Sequence, residues 1–104
     1  MENLEENFWS RFDSSGGIVT YTDNILKEDM FQAEYPDNLL LDAGYYQDRF
    51  KIYVIAEYDW EHPLAVYECN TPDELLKTMN TAREKILCMK ILKFQNRKRK
   101  TKDV

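Results

Sequence analysis

From Phe50 to Asp59 the side chains alternate. Phe50, Ile52, Val54, Ala56 and Tyr58 fall on one parity, and Lys51, Tyr53, Ile55, Glu57 and Asp59 on the other. A period of two with one apolar face is the pattern of a strand buried on one side. Trp60-Glu61-His62-Pro63 then interrupts it, and proline can open a strand but cannot sit centrally in one. Leu64–Cys69 supplies the return, so the stretch reads as a hairpin with strands over 50–59 and 63–69. Leu39–Tyr46 is a further strand, joined to the hairpin through Gln47-Asp48-Arg49. Connections this short cannot cross over to a parallel neighbour, so three consecutive antiparallel strands follow.

What must cover this sheet is readable at the two ends of the chain. Leu4, Phe8 and Phe12 recur every fourth residue and Trp9 widens the stripe, which predicts a helix over 1–12. Asp13-Ser14-Ser15-Gly16-Gly17 stops it, and Ile18–Thr22 reads as a short strand. Between Asp23 and Tyr35 a short helix carrying Ile25, Leu26, Met30 and Phe31 and an irregular loop fit almost equally well. Tyr35-Pro36-Asp37-Asn38 is a turn. Thr71-Pro72-Asp73-Glu74 has the spacing of a capping box with proline at the tolerated first position. Behind it Leu75, Met79, Ala82, Ile86 and Met89 lie on one helical face. The expectation is an α+β domain over 1–94. Its antiparallel sheet has about four strands (18–22, 39–46, 50–59, 63–69), packed against an N-terminal helix and a long C-terminal helix (72–94). A basic tail occupies 95–104.

The chain has 104 residues, enough for one core. It contains no run of 18 apolar residues that would span a membrane. The acidic start MENLEENFW lacks the apolar segment of a secretory signal, so a cytoplasmic protein is expected. In that compartment Cys69 and Cys88 are expected to be reduced core residues. The net charge of −5 conceals a split. Residues 1–70 hold 15 acids and 4 bases, whereas residues 71–104 hold 4 acids and 10 bases. An acidic body repels nucleic acid and speeds encounter with a basic partner.

Catalytic constellations fail on inventory. His62 is the single histidine, and Ser10, Ser14 and Ser15, the only serines, lie in no nucleophile elbow. One histidine and two distant cysteines do not make a zinc site, and Gly16-Gly17 is not a phosphate loop. Carboxylates are plentiful: Asp42, Asp48, Glu57, Asp59, Glu61 and Glu68 fall on the meander. Glu57 and Asp59, on one parity, would suit Mg²⁺ or Ca²⁺, but no EF-hand spacing is present. A solvated polar sheet face is the simpler reading, with none of these acids buried enough to raise its pKa. Aromatics make up 13% of the chain, and several tyrosines stand beside acids, as in Tyr58-Asp59-Trp60-Glu61. Tyrosine and tryptophan bury large area at low entropic cost and favour interfaces. The Arg97–Lys102 basic run reads as a solvated terminus or as a hook for RNA or another anionic partner; without interleaved aromatics it does not indicate specific nucleic-acid binding.

In its length, acidic body, Tyr35-Pro36-Asp37 and Tyr58-Asp59-Trp60-Glu61 pairs, and helix–strands–helix order ending in Thr71-Pro72-Asp73-Glu74-Leu75-Leu76, the chain resembles bacterial immunity proteins of polymorphic toxins and contact-dependent growth inhibition systems. That resemblance implies a cytosolic, non-enzymatic antitoxin without cofactor or metal. Its partner would be a cognate toxin, often a basic nuclease domain, whose active site or substrate groove it occludes. Asp42, Asp48, Glu57, Asp59 and Glu61 would pair with lysines and arginines, and Tyr46, Tyr58 and Trp60 would anchor. Two alternatives stand beside this one. A phage or mobile-element inhibitor mimicking nucleic acid would bind several unrelated nucleases with strong salt dependence. A small carboxylate-based metal-binding domain would take up metal at Glu57 and Asp59.

Overall fold

The structure is a computed structural model that describes residues 3–102, with side-chain surroundings as far as Met89. Five strands form one antiparallel sheet in simple sequential order: β1 (Ile18–Thr22), β2 (Phe31–Tyr35), β3 (Leu39–Tyr46), β4 (Arg49–Ala56) and β5 (Ala65–Cys69). One long helix, α1 (Pro72–Lys102), follows. The architecture is α+β, with an open sheet carrying a helix on one face.

Turn chemistry sets the meander. Gln47 and Asp48 both adopt positive φ (48° and 68°) between the paired residues Tyr46 and Arg49, as a two-residue hairpin of the primed type requires. Asp37 and Asn38 do the same (68° and 58°) before Leu39. Asparagine and aspartate tolerate this region better than most side chains.

The inner face holds the core. Phe31, Ala33 and Tyr35 of β2, Leu39, Leu41 and Ala43 of β3, and Phe50, Ile52 and Val54 of β4 are buried there. Over β3–β5 they meet Leu75, Met79, Ala82 and Ile86 of α1, all at 0% exposure, as the helical spacing predicts. Over β2 they meet the N-terminal segment, where the Trp9 and Phe12 rings pack 4.8 Å and 5.5 Å from the Phe31 ring. The capping box is present in altered form. The Glu74 N–H donates to Thr71 Oγ1 (3.2 Å), but the Glu74 carboxylate accepts from the Thr71 hydroxyl (3.0 Å), not from the backbone.

Several expectations are corrected. Within the helix expected over 1–12 the described residues form a single 3₁₀ turn, Phe8–Arg11, because Asn3 bridges to Ile25 and the Leu4 N–H donates to Asn24 O, which ties Asn3 and Leu4 to the 24–25 segment. Leu4, Phe8, Trp9 and Phe12 are nonetheless buried. The sheet has five strands, not four: Phe31-Gln32-Ala33-Glu34-Tyr35 is β2, with its alternate residues in the core. The strand expected over 50–59 ends at Ala56, since Glu57 and Tyr58 turn to positive φ (55° and 58°). The strand expected from 63 begins at Ala65. Helix α1 continues beyond 94, and the side chains of the basic tail lie outside the described residues. Both cysteines are free; Cys69 is buried and Cys88 exposed, so only the first is a core residue.

Candidate functional site

The strand register defines the face that α1 leaves uncovered. Paired residues share a face, so this outer side carries Tyr21 of β1, Gln32 and Glu34 of β2, and Leu40, Asp42, Gly44 and Tyr46 of β3. It continues through Lys51, Tyr53 and Ile55 of β4 to Val66 and Glu68 of β5. Leu40 and Ile55, partners in register, are buried at its centre. Around them the aromatic rings make a row: Tyr46 lies 6.3 Å from Tyr53, and Tyr53 lies 6.3 Å from Trp60, both edge-on. Trp60 reaches the row because the 57–64 loop folds back, its ends tied by Glu57 N–H to Asn38 O (3.0 Å) and Leu64 N–H to Val54 O (2.8 Å). Tyr58 and Trp60 remain 59% and 46% exposed, much more than structural aromatics usually are.

The eight residues singled out from the sequence do not form one patch. Glu57, Tyr58, Asp59, Trp60 and Glu61 share the exposed 57–64 loop, where Asn38 Nδ2 donates to Glu57 (3.1 Å) and the His62 ring sits 3.2 Å from the Asp59 carboxylate. Asp48 lies in the turn at the opposite end of β4. Eight residues of strand separate the two ends, roughly 23 Å. Asp42 lies mid-strand, paired with Tyr53, whereas Tyr46 ends β3 beside the 47–48 turn with its ring close to Gly44 and Tyr53. Glu57 and Asp59 do not share a strand face as expected, because the alternation that would align them stops at Ala56. Among the described residues no group of three or more His, Cys, Asp or Glu side chains converges to hold a metal ion.

Asp42 departs most from expectation. It is 6% exposed, and burial pushes its carboxyl pKa up to about 6, with Asp29 raising it further and a hydrogen bond from Gln32 Nε2 (3.4 Å) opposing the rise. Burial followed by the Asp42 charge drives the Tyr46 phenol up to about 12. The reading that no meander acid is buried enough to shift is therefore overturned.

The cause lies in residues 27–30. The Met30 N–H donates to Ala43 O (3.0 Å) and the Tyr45 N–H to Lys27 O (2.8 Å), so Glu28 and Asp29 bulge over β3 between these two bonds. Gly44 makes the approach possible, since a Cβ there would run into the Glu28 carbonyl oxygen. A lone glycine inside a strand is the sequence signal of such a contact. The bulge sets Asp29 beside Asp42, and with Tyr21, Phe31 and Gln32 they line a groove of about 360 Å³. Of these five, the sequence singled out only Asp42.

On the rim, Lys27 Nζ sits 2.6 Å from Asp23 and 5.6 Å from the centre of the Tyr21 ring. The Asp23 carboxyl falls to about 2, chiefly through that lysine and then the Ile25 N–H. On the far side of the face, Glu68 binds both Arg49 (3.1 Å) and Lys51 (3.5 Å).

Among the described residues no helix is long and apolar enough to cross a membrane. Comparison with family models, curated proteins and solved structures returns no match.

Proposed function

We propose that this chain is a cytoplasmic binding protein of the immunity type. It neutralises a basic toxin, such as a nuclease domain, by covering its active site or substrate groove, and it performs no reaction of its own. The observation that carries this reading is the Tyr46–Tyr53–Trp60 row on a sheet face that no helix of the described residues covers, ending at the exposed Glu57, Asp59 and Glu61. Aromatic anchors ringed by acids suit a lysine- and arginine-rich surface: the rings supply buried area and the acids complementarity. The acidic excess over residues 1–70 would steer the encounter.

The test uses immobilised chain and the basic protein encoded beside its gene. Glu57→Gln, Asp59→Asn and Glu61→Gln together should weaken capture by about tenfold or more, since each close interfacial charge pair can contribute more than 1 kcal/mol. The thermal midpoint should stay nearly constant, because all three side chains are exposed. Unaltered affinity in the triple variant would remove this surface from the reading.

A further inference from the structure

The groove at the bulge has a composition different from the aromatic row. Its carboxylates are Asp42, more than nine-tenths buried, and Asp29, exposed on the overlying segment. One Asp42 oxygen, Oδ2, accepts from Gln32; among the described residues none donates a hydrogen bond to Oδ1. Yet among the described residues no fully buried side-chain oxygen lacks a partner, so Oδ1 keeps some contact with solvent, and Asp42 lines the groove. No described cation lies within ion-pair distance of Asp29 or Asp42. Lys27, on the rim, is engaged by Asp23 at 2.6 Å. The Tyr21 wall already receives one cation, that same lysine.

These features select the occupant. The groove's volume sits at the lower end for ligand pockets, enough for one side chain and not for a polymer. Two carboxylates and an aromatic wall match a planar cation with several donors, which can bind carboxylate oxygens and stack on a ring at once. A divalent metal would need more oxygen ligands than these two side chains supply.

We propose that the groove lined by Tyr21, Asp29, Phe31, Gln32 and Asp42 receives a single arginine side chain presented by the protein partner. The inference rests on the binding reading above and gives it a second, more selective contact point. Entry of the guanidinium would give the buried carboxylate a counter-charge that no described residue provides, so the groove would discriminate among basic surfaces by where an arginine stands.

The probe is N-acetyl-arginine methylamide, titrated into the full chain and followed by NMR at the Gln32 side-chain amide and the Tyr21 ring. The expected result is saturable shifts at both. The matching citrulline derivative, a neutral isostere, should give none. Asp42→Asn should weaken the arginine probe by about tenfold or more. Asp29→Asn, on an exposed residue whose loss leaves the core intact, should weaken it by at least about threefold. Absence of saturation at Gln32, equal shifts with citrulline, or unchanged binding in both variants would overturn the assignment. A partner captured equally well by the native chain and by Asp42→Asn would sink the groove alone. Saturation by the arginine probe in a chain that captures no basic protein would sink the inhibitor reading alone.

Discussion

Asp42 costs the fold stability at neutral pH, and the sign follows from its burial. Its folded pKa of about 6 lies above the ordinary carboxylate value of 3.8, so between these values the native state holds a proton that the unfolded chain releases. Stability therefore falls as pH rises from about 4 to about 6 and stays lower above that. One pKa unit corresponds to about 1.4 kcal/mol, and a carboxylate lining an open groove delivers less than its full shift, so about 1–2 kcal/mol is at stake. Asp42→Asn, which keeps an acceptor for Gln32, should be the more stable protein by that amount at pH 8 and indistinguishable from native near pH 4. Urea unfolding across this range checks it, and a gap independent of pH would contradict the burial. Gly44→Ala acts at the same scale by geometry. The added methyl meets the Glu28 carbonyl, so the 27–30 segment must lift, at about 2–3 kcal/mol or with loss of folding. Legibility differs between the two residues. Alternation sends Asp42 to the outer face, but the pattern carries no information about the segment that overlies it. Gly44 stands in the sequence as an isolated glycine inside a strand, a signal of close backbone approach without an address.

At the level of elements, what the sequence reveals follows from how local each cause is. Helix α1 starts where Thr71 and Glu74 say it should, because a cap is made by residues three apart. Thr71→Ala should cost about 1 kcal/mol, read as a lower urea midpoint with an unchanged slope. The β3–β4 hairpin is equally local, as Gln47-Asp48 leaves no room for any other connection. Where distant partners decide, the sequence misleads. Leu4, Phe8 and Phe12 have helical spacing, yet Asn3 pairs with Ile25 and only one 3₁₀ turn survives. The turn 13–17 is held from the far end of the chain: Arg83 donates to Ser15 O (2.9 Å) and to Ser15 Oγ. Strand β2 alternates correctly, but Ala33 and Glu34 have weak β-propensity, and Met30 next to Phe31 blurs where its parity begins. The pairing with β3, Phe31 to Ala43 through Tyr35 to Leu39, is what makes it a strand.

Across the whole molecule, the two ends of the outer face separate Trp60 and its neighbouring acids from an internal control. Trp60 and the acidic 57–61 loop lie at one end of β4, and Asp48, another exposed carboxylate, lies at the other. If net charge alone drew a basic partner, Asp48→Asn and Asp59→Asn would slow association alike, and both effects would vanish once the Debye length falls to about 3 Å at 1 M salt. If the row of rings is the contact, Tyr53→Ala with Trp60→Ala should behave differently. A tryptophan or tyrosine that anchors an interface costs about 2 kcal/mol or more when truncated, such losses do not add, and they act on dissociation. The double variant should therefore release the partner at least about thirtyfold faster at any ionic strength. Asp48→Asn should change only the association rate, and only at low salt. Tyr53 is half-buried, so its removal also loosens the sheet. Tyr67→Ala, a half-buried tyrosine of β5 on the helix side, calibrates that loss, since it should lower stability without speeding release. Surface plasmon resonance at 50 mM and 1 M salt separates these outcomes. Equal dissociation rates for the native chain and the Tyr53/Trp60 variant would mean that the rings do not carry the interface.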